Sequence, residues 1–324
     1  MTGAAPYALG GLRAEAGSQI RGHCLVSLGT STVSLPVAIT HGSAPGPVLA
    51  VTAGIHGGEY VPVIAVRQFV RDLDPAQMRG TIVACLQSSP VAFWQRSAFV
   101  NPLDGQNLNR SFPGDPQGGP TARLAAWLWA NLLTRADYYV DCHCGDLPEA
   151  LDSFTSVTPG PDGTIHEQAR ELAGCFEVAR LIVSRTAGST VSEAARAGIP
   201  AALVEVGGEG RWSQAEADIQ RSGLHRAAAV AGIGPATGGT RPRLPVFEDA
   251  ADVLSDRPGL WFPEVPAGTY VAAGTRLGRL EDPFGDVVQE ILAPEAGVVV
   301  YGLSSLAAAE GDLLVAIARP VPGT

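Results

Sequence analysis

Lysine is missing from all 324 residues, and the 22 basic side chains are arginine throughout. That absence removes Schiff-base chemistry, a Walker-type phosphate loop and lysine-linked biotin or lipoate from consideration. Disulfide scaffolding is equally thin. Cys24, Cys85, Cys142, Cys144 and Cys175 are an odd set without framework spacing, which predicts reduced thiols in a cytoplasmic protein. No run approaches about 18 uninterrupted apolar residues, the length a membrane-crossing helix needs. The N-terminus has no basic region followed by an apolar core, so no secretory signal is expected. Charge is sparse at 17% and leans acidic, 22 basic against 32 acidic groups giving −10. This argues against nucleic acid or an anionic membrane as partner, and an anionic substrate would need a local group of arginines. Hydrophobic residues make up 46% of the chain. That is enough for one large domain and a smaller one.

Short apolar runs alternate with helical patterns from residue 48 onward. Val48–Ala53, Thr81–Gln87, Tyr138–Cys142, Arg180–Ser184 and Ala201–Val206 read as strands. Tyr60–Asp72, Thr121–Thr134, Ile165–Cys175, Thr190–Ala197 and Gln214–Ala231 read as helices. The pattern predicts an α/β fold with an open, mostly parallel or mixed central sheet covered by helices on both faces. Before it, Cys24–Leu28 and Val33–Ile39 predict edge strands or a hairpin. The glycine-rich stretch Gly232–Thr240 reads as a linker, dividing a catalytic domain at 1–235 from a smaller all-β domain at 241–324.

In such sheets ligands bind beyond the carboxyl ends of the strands. Three of these ends carry a metal- or proton-handling residue: Gly54-Ile-His56, Val140-Asp-Cys-His143 and Leu203-Val-Glu205. His56-Gly57-Gly58-Glu59 adds a carboxylate three residues after its histidine, and the pair can share one side of a turn at roughly 5–6 Å between Cβ atoms. Two glycines are expected to permit tight backbone geometry and to leave room above a metal. His56, Glu59 and His143 together make a His₂Glu set suited to one catalytic zinc per chain. Glu205 is the candidate general base and acid. Strand alternation turns Cys142 and Cys144 away from His143, toward packing rather than thiolate ligation. Asp141 shares the face of His143 and is placed to orient a ligand or substrate.

A second polar stretch runs from Arg96 to Gly114 and has little regular pattern, as a functional loop would. Asn109-Arg110 sets an amide beside a guanidinium fork, a pairing fitted to a carboxylate. Arg96 is placed to reach a developing oxyanion, and Asp104 to hold an arginine or ligand.

With these motifs assembled, the chain resembles the succinylglutamate desuccinylase/aspartoacylase family of zinc-carboxypeptidase-like deacylases. The likeness rests on Gly54-Ile-His-Gly-Gly-Glu59, Asp104-Gly-Gln-Asn-Leu-Asn-Arg-Ser-Phe-Pro-Gly114, Asp141-Cys-His143 and Gly198-Ile-Pro-Ala-Ala-Leu-Val-Glu-Val-Gly207. It extends over roughly 45–320. The N-L-N-R-x-F-P-G wording is similar to that of the bacterial branch holding the ectoine-degradation deacetylases, which act on N-acetyl-diaminobutyrate. The resemblance implies zinc on His56, Glu59 and His143, Glu205 as base and acid, and Asn109 and Arg110 on a substrate carboxylate. The family's further arginine, upstream of that pair, would fall at Pro102 here, leaving Arg96 as its candidate replacement. The resemblance also implies a C-terminal barrel-sandwich domain of biotinyl/lipoyl-carrier type. Without lysine that domain would shape the active-site entrance instead of carrying a group.

The expected activity is hydrolysis of a small N-acyl amino acid at its amide. A metallocarboxypeptidase acting on peptides, or a non-catalytic small-molecule binding protein on the same fold, are the alternatives. The oligomeric state is open, a homo-oligomer included.

Overall fold

The structure, a computed structural model, describes residues 4–235 and 243–322. Part of the expected linker and the start of the expected second domain, residues 236–242, lie outside the described residues. The chain begins with two short strands, β1 (Tyr7–Leu9) and β2 (Leu12–Ala14). The expected hairpin follows as β3 (Ser18–Ser27) and β4 (Thr32–His41), longer than their apolar runs. The alternating part comprises β5 (Ala44–Ala53), α1 (Tyr60–Asp72), β6 (Arg79–Cys85), α2 (Pro90–Gln95), α3 (Pro120–Asn131) and β7 (Tyr138–His143). It continues with β8 (Glu149–Leu151), β9 (Phe154–Val157), α4 (Gly163–Ala173), β10 (Arg180–Val183), α5 (Thr190–Arg196), β11 (Ala201–Glu205) and α6 (Gln214–Val230). The remainder is strand only: β12 (Val246–Leu254), β13 (Gly259–Pro263), β14 (Tyr270–Val271), β15 (Arg276–Glu281), β16 (Val287–Leu292), β17 (Gly297–Leu303), β18 (Ala307–Ala308) and β19 (Leu313–Pro320).

Strands β6, β5, β7 and β11 lie side by side and parallel. Their apolar side chains feed both faces, so helices cover both. Phe69 of α1, Leu172 of α4 and Leu224 of α6 pack on one side. Leu124 and Leu128 of α3 and Val191 of α5 pack on the other, together with the β3–β4 hairpin. Full burial of each such side chain contributes about 1.5–3 kcal/mol. This agrees with the expected α/β architecture, although the sheet is more mixed than its central strands. β9 is antiparallel to β11 and parallel to β10, reversing the direction of the second half. β9 is four residues long and β8 three, too short to leave a periodic signature.

The sheet continues into the C-terminal strands. β12 pairs parallel with β10; β19 then pairs antiparallel with β12, β17 antiparallel with β19, and β8 from the first half antiparallel with β17. A separate four-stranded sheet runs β16-β15-β13-β18 around Trp261. The strand-only character expected of this part is present. Among the described residues, no helix is long and apolar enough to cross a membrane.

Candidate active site

β5 ends at Ala53, and Gly54 turns the chain in the left-handed region at φ 64°. Such a φ strains any residue with a Cβ. The turn carries His56 over the sheet edge and delivers Glu59 to the start of α1. His143 and Glu205 close β7 and β11 and are partners in register. The sequence predicts His56, His143 and Glu205 at three strand ends on one rim, with Glu59 three residues after His56, and the four groups converge on one cavity.

Glu59 is bracketed by the two imidazoles. Its Oε1 lies 2.5 Å from His56 Nδ1, and its Oε2 lies 2.9 Å from His143 Nδ1. The potential ligand atoms of the three residues all lie within 4.8 Å of one another. Each imidazole is held from behind through its other nitrogen. His56 Nε2 meets Asn107 Oδ1 at 3.1 Å, and His143 Nε2 meets Asp141 Oδ2 at 3.0 Å. Two Nδ1 donors and a carboxylate facing one point, with both far nitrogens engaged, fit a divalent ion of the zinc type. Burial would raise the Glu59 carboxyl, but His143 and His56 outweigh it and hold the group at about 2. Burial disfavours the charged form of His143 too, yet Asp141 and Glu59 raise it well above the ordinary range. Negative potential dominates this point, as a cation site requires.

A cavity of about 270 Å³ opens over these residues. Glu205 lines it with Oε2 buried and, among the described residues, without a hydrogen-bond partner. Burial raises Glu205 well above the usual carboxylate range, His143 opposes this, and Glu59 and Glu149 add to it.

The loop before α3 supplies the opposite wall. Asn109 is buried, its Oδ1 accepts from the Thr190 backbone N–H at 2.9 Å, and its Nδ2 lies 3.4 Å from His143 Nε2. Arg110 lines the cavity next to it, with one guanidinium N–H donating to the Asn109 carbonyl at 2.8 Å. Among the described residues it has no ion-pair partner, which leaves the fork available to a ligand carboxylate.

Two expected site residues are placed elsewhere. Arg96 is the exposed, left-handed C-cap of α2 (φ 54°) and is not among the residues lining the cavity. The short helix α2 was invisible in the sequence pattern, and it turns this side chain outward. Asp104 also lies away from the cavity and, among the described residues, pairs with no arginine. Its Oδ2 accepts from the Thr121 backbone N–H at 2.9 Å and its Oδ1 from the Thr121 hydroxyl at 2.6 Å. The carboxylate caps α3, whose own N-cap, Gly119, has no side chain to do so.

The glycines of the His-Gly-Gly-Glu turn serve tight geometry, as expected, but do not leave room above a metal. A Cβ on Gly57 would meet the Ala92 carbonyl oxygen at 2.3 Å, and one on Gly58 the Asp146 carboxylate at 2.0 Å. They permit close approach of neighbouring segments and do not hold open space for substrate. Cys142 and Cys144 are fully buried in packing, as alternation predicted, and burial raises both thiols well above their ordinary range.

Several cavity residues carry no role in the sequence reading. Asn107 opens the N-L-N-R motif, and its Oδ1 against His56 Nε2 is visible only in the folded chain. Glu149, Asp249 and Tyr301 lay in segments without a motif, and only the folded chain brings them to this cavity.

Known proteins share this architecture. Residues 45–231 match the succinylglutamate desuccinylase/aspartoacylase catalytic domain. A curated relative, N-alpha-acetyl-L-2,4-diaminobutyric acid deacetylase from Halomonas elongata, is 30% identical over 145 residues, covering 44% of this chain and 42% of the relative. The match thus spans under half of that protein's length. The solved succinylglutamate desuccinylase/aspartoacylase from Rhodobacter sphaeroides superposes with a TM-score of 0.82 at 24% identity, over 94% of this chain and 96% of the other. The product-bound ectoine utilization protein EutE (DoeB) from Ruegeria pomeroyi superposes with a TM-score of 0.85 at 23% identity, over 97% and 98%. These two show a common fold that includes the C-terminal strands. With more than half of its length inside the catalytic-domain match and the His-Glu-His cluster at the predicted strand ends, the chain belongs to the succinylglutamate desuccinylase/aspartoacylase family.

Proposed function

We propose that this protein is a zinc-dependent deacylase that hydrolyses the amide of a small N-acyl amino acid. One observation carries the reading: the His56, Glu59 and His143 donors, the unpartnered Glu205 carboxylate and the unpaired Arg110 guanidinium all line one cavity. His56 Nδ1, Glu59 and His143 Nδ1 would hold the ion. When bound it supplies Lewis acidity and lowers the pKa of a water to about 7.

The chain's own groups do the rest. Arg110 binds the amino-acid carboxylate through its fork, and Asn109 presents an amide N–H beside it. This fixes the scissile carbonyl toward the His-Glu-His point. Glu205 takes a proton from the attacking water, whose oxygen bonds to the carbonyl carbon. Glu205 then gives that proton to the amide nitrogen as the carbon–nitrogen bond breaks, releasing a carboxylic acid and an amine. Its buried, partner-free oxygen suits both halves of this shuttle. A cavity of about 270 Å³ holds a small amide more readily than a peptide, which favours a deacylase over a carboxypeptidase. We assign the catalytic groups to residues 1–235, with 241–324 as an accessory β part that completes the cavity wall. Its affinity with the barrel-sandwich type stays part of this proposal. The name of the Halomonas relative directs the first substrate panel to N-acetyl amino acids.

Glu205→Gln tests the assignment. With folding and metal content checked, kcat/KM on N-acetyl amino acids should fall by about 10²–10⁴-fold or more. Turnover near the wild-type level in that variant would remove Glu205 from the mechanism.

A further inference from the structure

Polar groups make up only part of the cavity wall. Phe154, Ile182, Val300 and Ala316 line it as well, and the proposed reaction gives none of them a task. All four belong to one packed cluster. Phe154 and Ile182 come from β9 and β10, Val300 and Ala316 from β17 and β19, so the cluster joins the first half of the chain to its C-terminal strands. Ile182 is 3% exposed and Val300 7%. Water against such groups finds few polar partners, and an apolar group that displaces it is favoured.

Sheet register fixes where this wall begins. Phe154 is the partner of Glu205 across the antiparallel β9–β11 pair, so the two side chains leave the same face about 4.5–5.5 Å apart at Cβ. One strand further on, Ile182 stands opposite Ser156, which is itself opposite Leu203 of β11. Ala316 is held between Asp252 of β12 and Tyr301 of β17. Each member of the wall thus sits on a paired strand, which holds its position closely. The nearby carboxylates already have donors. Asp249 Oδ2 accepts from the Ser184 hydroxyl at 2.6 Å, and Glu149 Oε2 from the Asp146 backbone N–H at 2.6 Å.

In the proposed reaction Glu205 returns its proton to the leaving nitrogen. The part of the substrate beside Phe154 is then the amine part, not the acyl part. That amine part carries a carboxylate, bound by Arg110, and a side chain. We infer that the wall of Phe154, Ile182, Val300 and Ala316 receives this side chain and that the side chain is aliphatic. The assignment rests on the deacylase reading and narrows its substrate class to N-acyl derivatives of aliphatic amino acids. Ile182 and Val300 become specificity-determining residues, since they present hydrocarbon from opposite halves of the chain. A charged side chain in the same place would lose its water against hydrocarbon, which is costly.

The test measures kcat/KM on metal-loaded enzyme for two series of amides. In the first the acyl group is acetyl throughout, and the amino acid is alanine, 2-aminobutyrate, norvaline or 2,4-diaminobutyrate acetylated at Nα. In the second the amino acid is alanine, and the acyl group is acetyl, propanoyl or butanoyl. Each methylene added to the side chain should raise kcat/KM about fourfold, the transfer value of one buried CH₂. The norvaline amide should exceed its charged counterpart of equal length, the diaminobutyrate amide, by about tenfold or more. In Ile182→Ala and in Val300→Thr the ratio of norvaline to alanine should fall. A merely structural role for these residues would lower both substrates together and leave that ratio unchanged. The assignment is overturned by a flat or falling response to side-chain length, or by a diaminobutyrate amide that matches the norvaline one. It is equally overturned by a gain that follows the acyl chain instead, or by a ratio that survives both variants. Each of these outcomes is still turnover and leaves the deacylase reading intact. No turnover of any amide would count against that reading. Calorimetric binding of free norvaline against free alanine would then decide the side-chain preference, with equal or weaker binding of norvaline overturning it.

Discussion

Asp141 shows how much of the site lies behind the groups that would touch a metal. It is fully buried, its Oδ1 accepts from the Thr52 hydroxyl at 2.6 Å, and its Oδ2 meets both the Thr190 hydroxyl and His143 Nε2. The carboxylate therefore fixes both the orientation of the His143 ring and the proton on its far nitrogen. Asp141→Asn should weaken metal affinity by about 10–100-fold with the fold retained, as read by chelator competition. Unchanged affinity would show that the ring is held by packing alone. His56, Glu59, His143 and Glu205 were legible in the sequence because each follows a strong apolar run at a parallel strand's carboxyl end. Asp141 was legible through alternation, since it shares a face with His143. Asn107 and Glu149 were not, because a loop and a three-residue strand bring them to the cavity, and neither has a periodic signature. The packing role of the turn's two glycines was not legible, since only the folded chain brings the Ala92 carbonyl and Asp146 against them.

Elements explain what a residue list leaves unclear. The segment between α2 and α3 carries Asn107, Asn109 and Arg110 into the cavity, and it is tied down at several points. The Asp146 carboxylate accepts from the Phe99 backbone N–H at 2.7 Å, and Asp104 caps α3 from within the loop. Asp104 is drawn to the helix start ahead of it, where Gly119 has no side chain to cap the backbone N–H groups. Asp104→Ala should cost about 0.5–2 kcal/mol, the value of a lost N-cap. The expected signature is a lower denaturant midpoint at unchanged m-value, with metal stoichiometry retained. A rise in KM with no loss of stability would return Asp104 to the binding site. The long helices and the central strands were readable to within a few residues. The antiparallel β9 was not, since four residues of it decide the direction of half the sheet.

On the scale of the whole molecule, the C-terminal strands continue the main sheet and are not merely appended to it. β12 covers the edge of β10, β17 pairs with β8, and Val300, Tyr301, Leu313 and Ala316 line the same cavity as Glu205. Glycine-rich composition at 232–240 marks a change of character in the sequence, but it cannot reveal that the strands beyond it rejoin the sheet. Ending the chain at residue 235 would strip β12 from β10 and leave an open row of backbone donors and acceptors. It would also expose Leu181 and Ile182, both buried in the whole chain. The strand holding Glu149 would lose its partner at the same time. Such a truncated chain should therefore aggregate or unfold without cooperativity, as read by size-exclusion chromatography and denaturant titration. A monomeric 1–235 fragment with a sharp transition, full metal stoichiometry and wild-type turnover would contradict this. It would mean that the catalytic half closes its own cavity, and that the shared sheet edge contributes nothing the reaction needs.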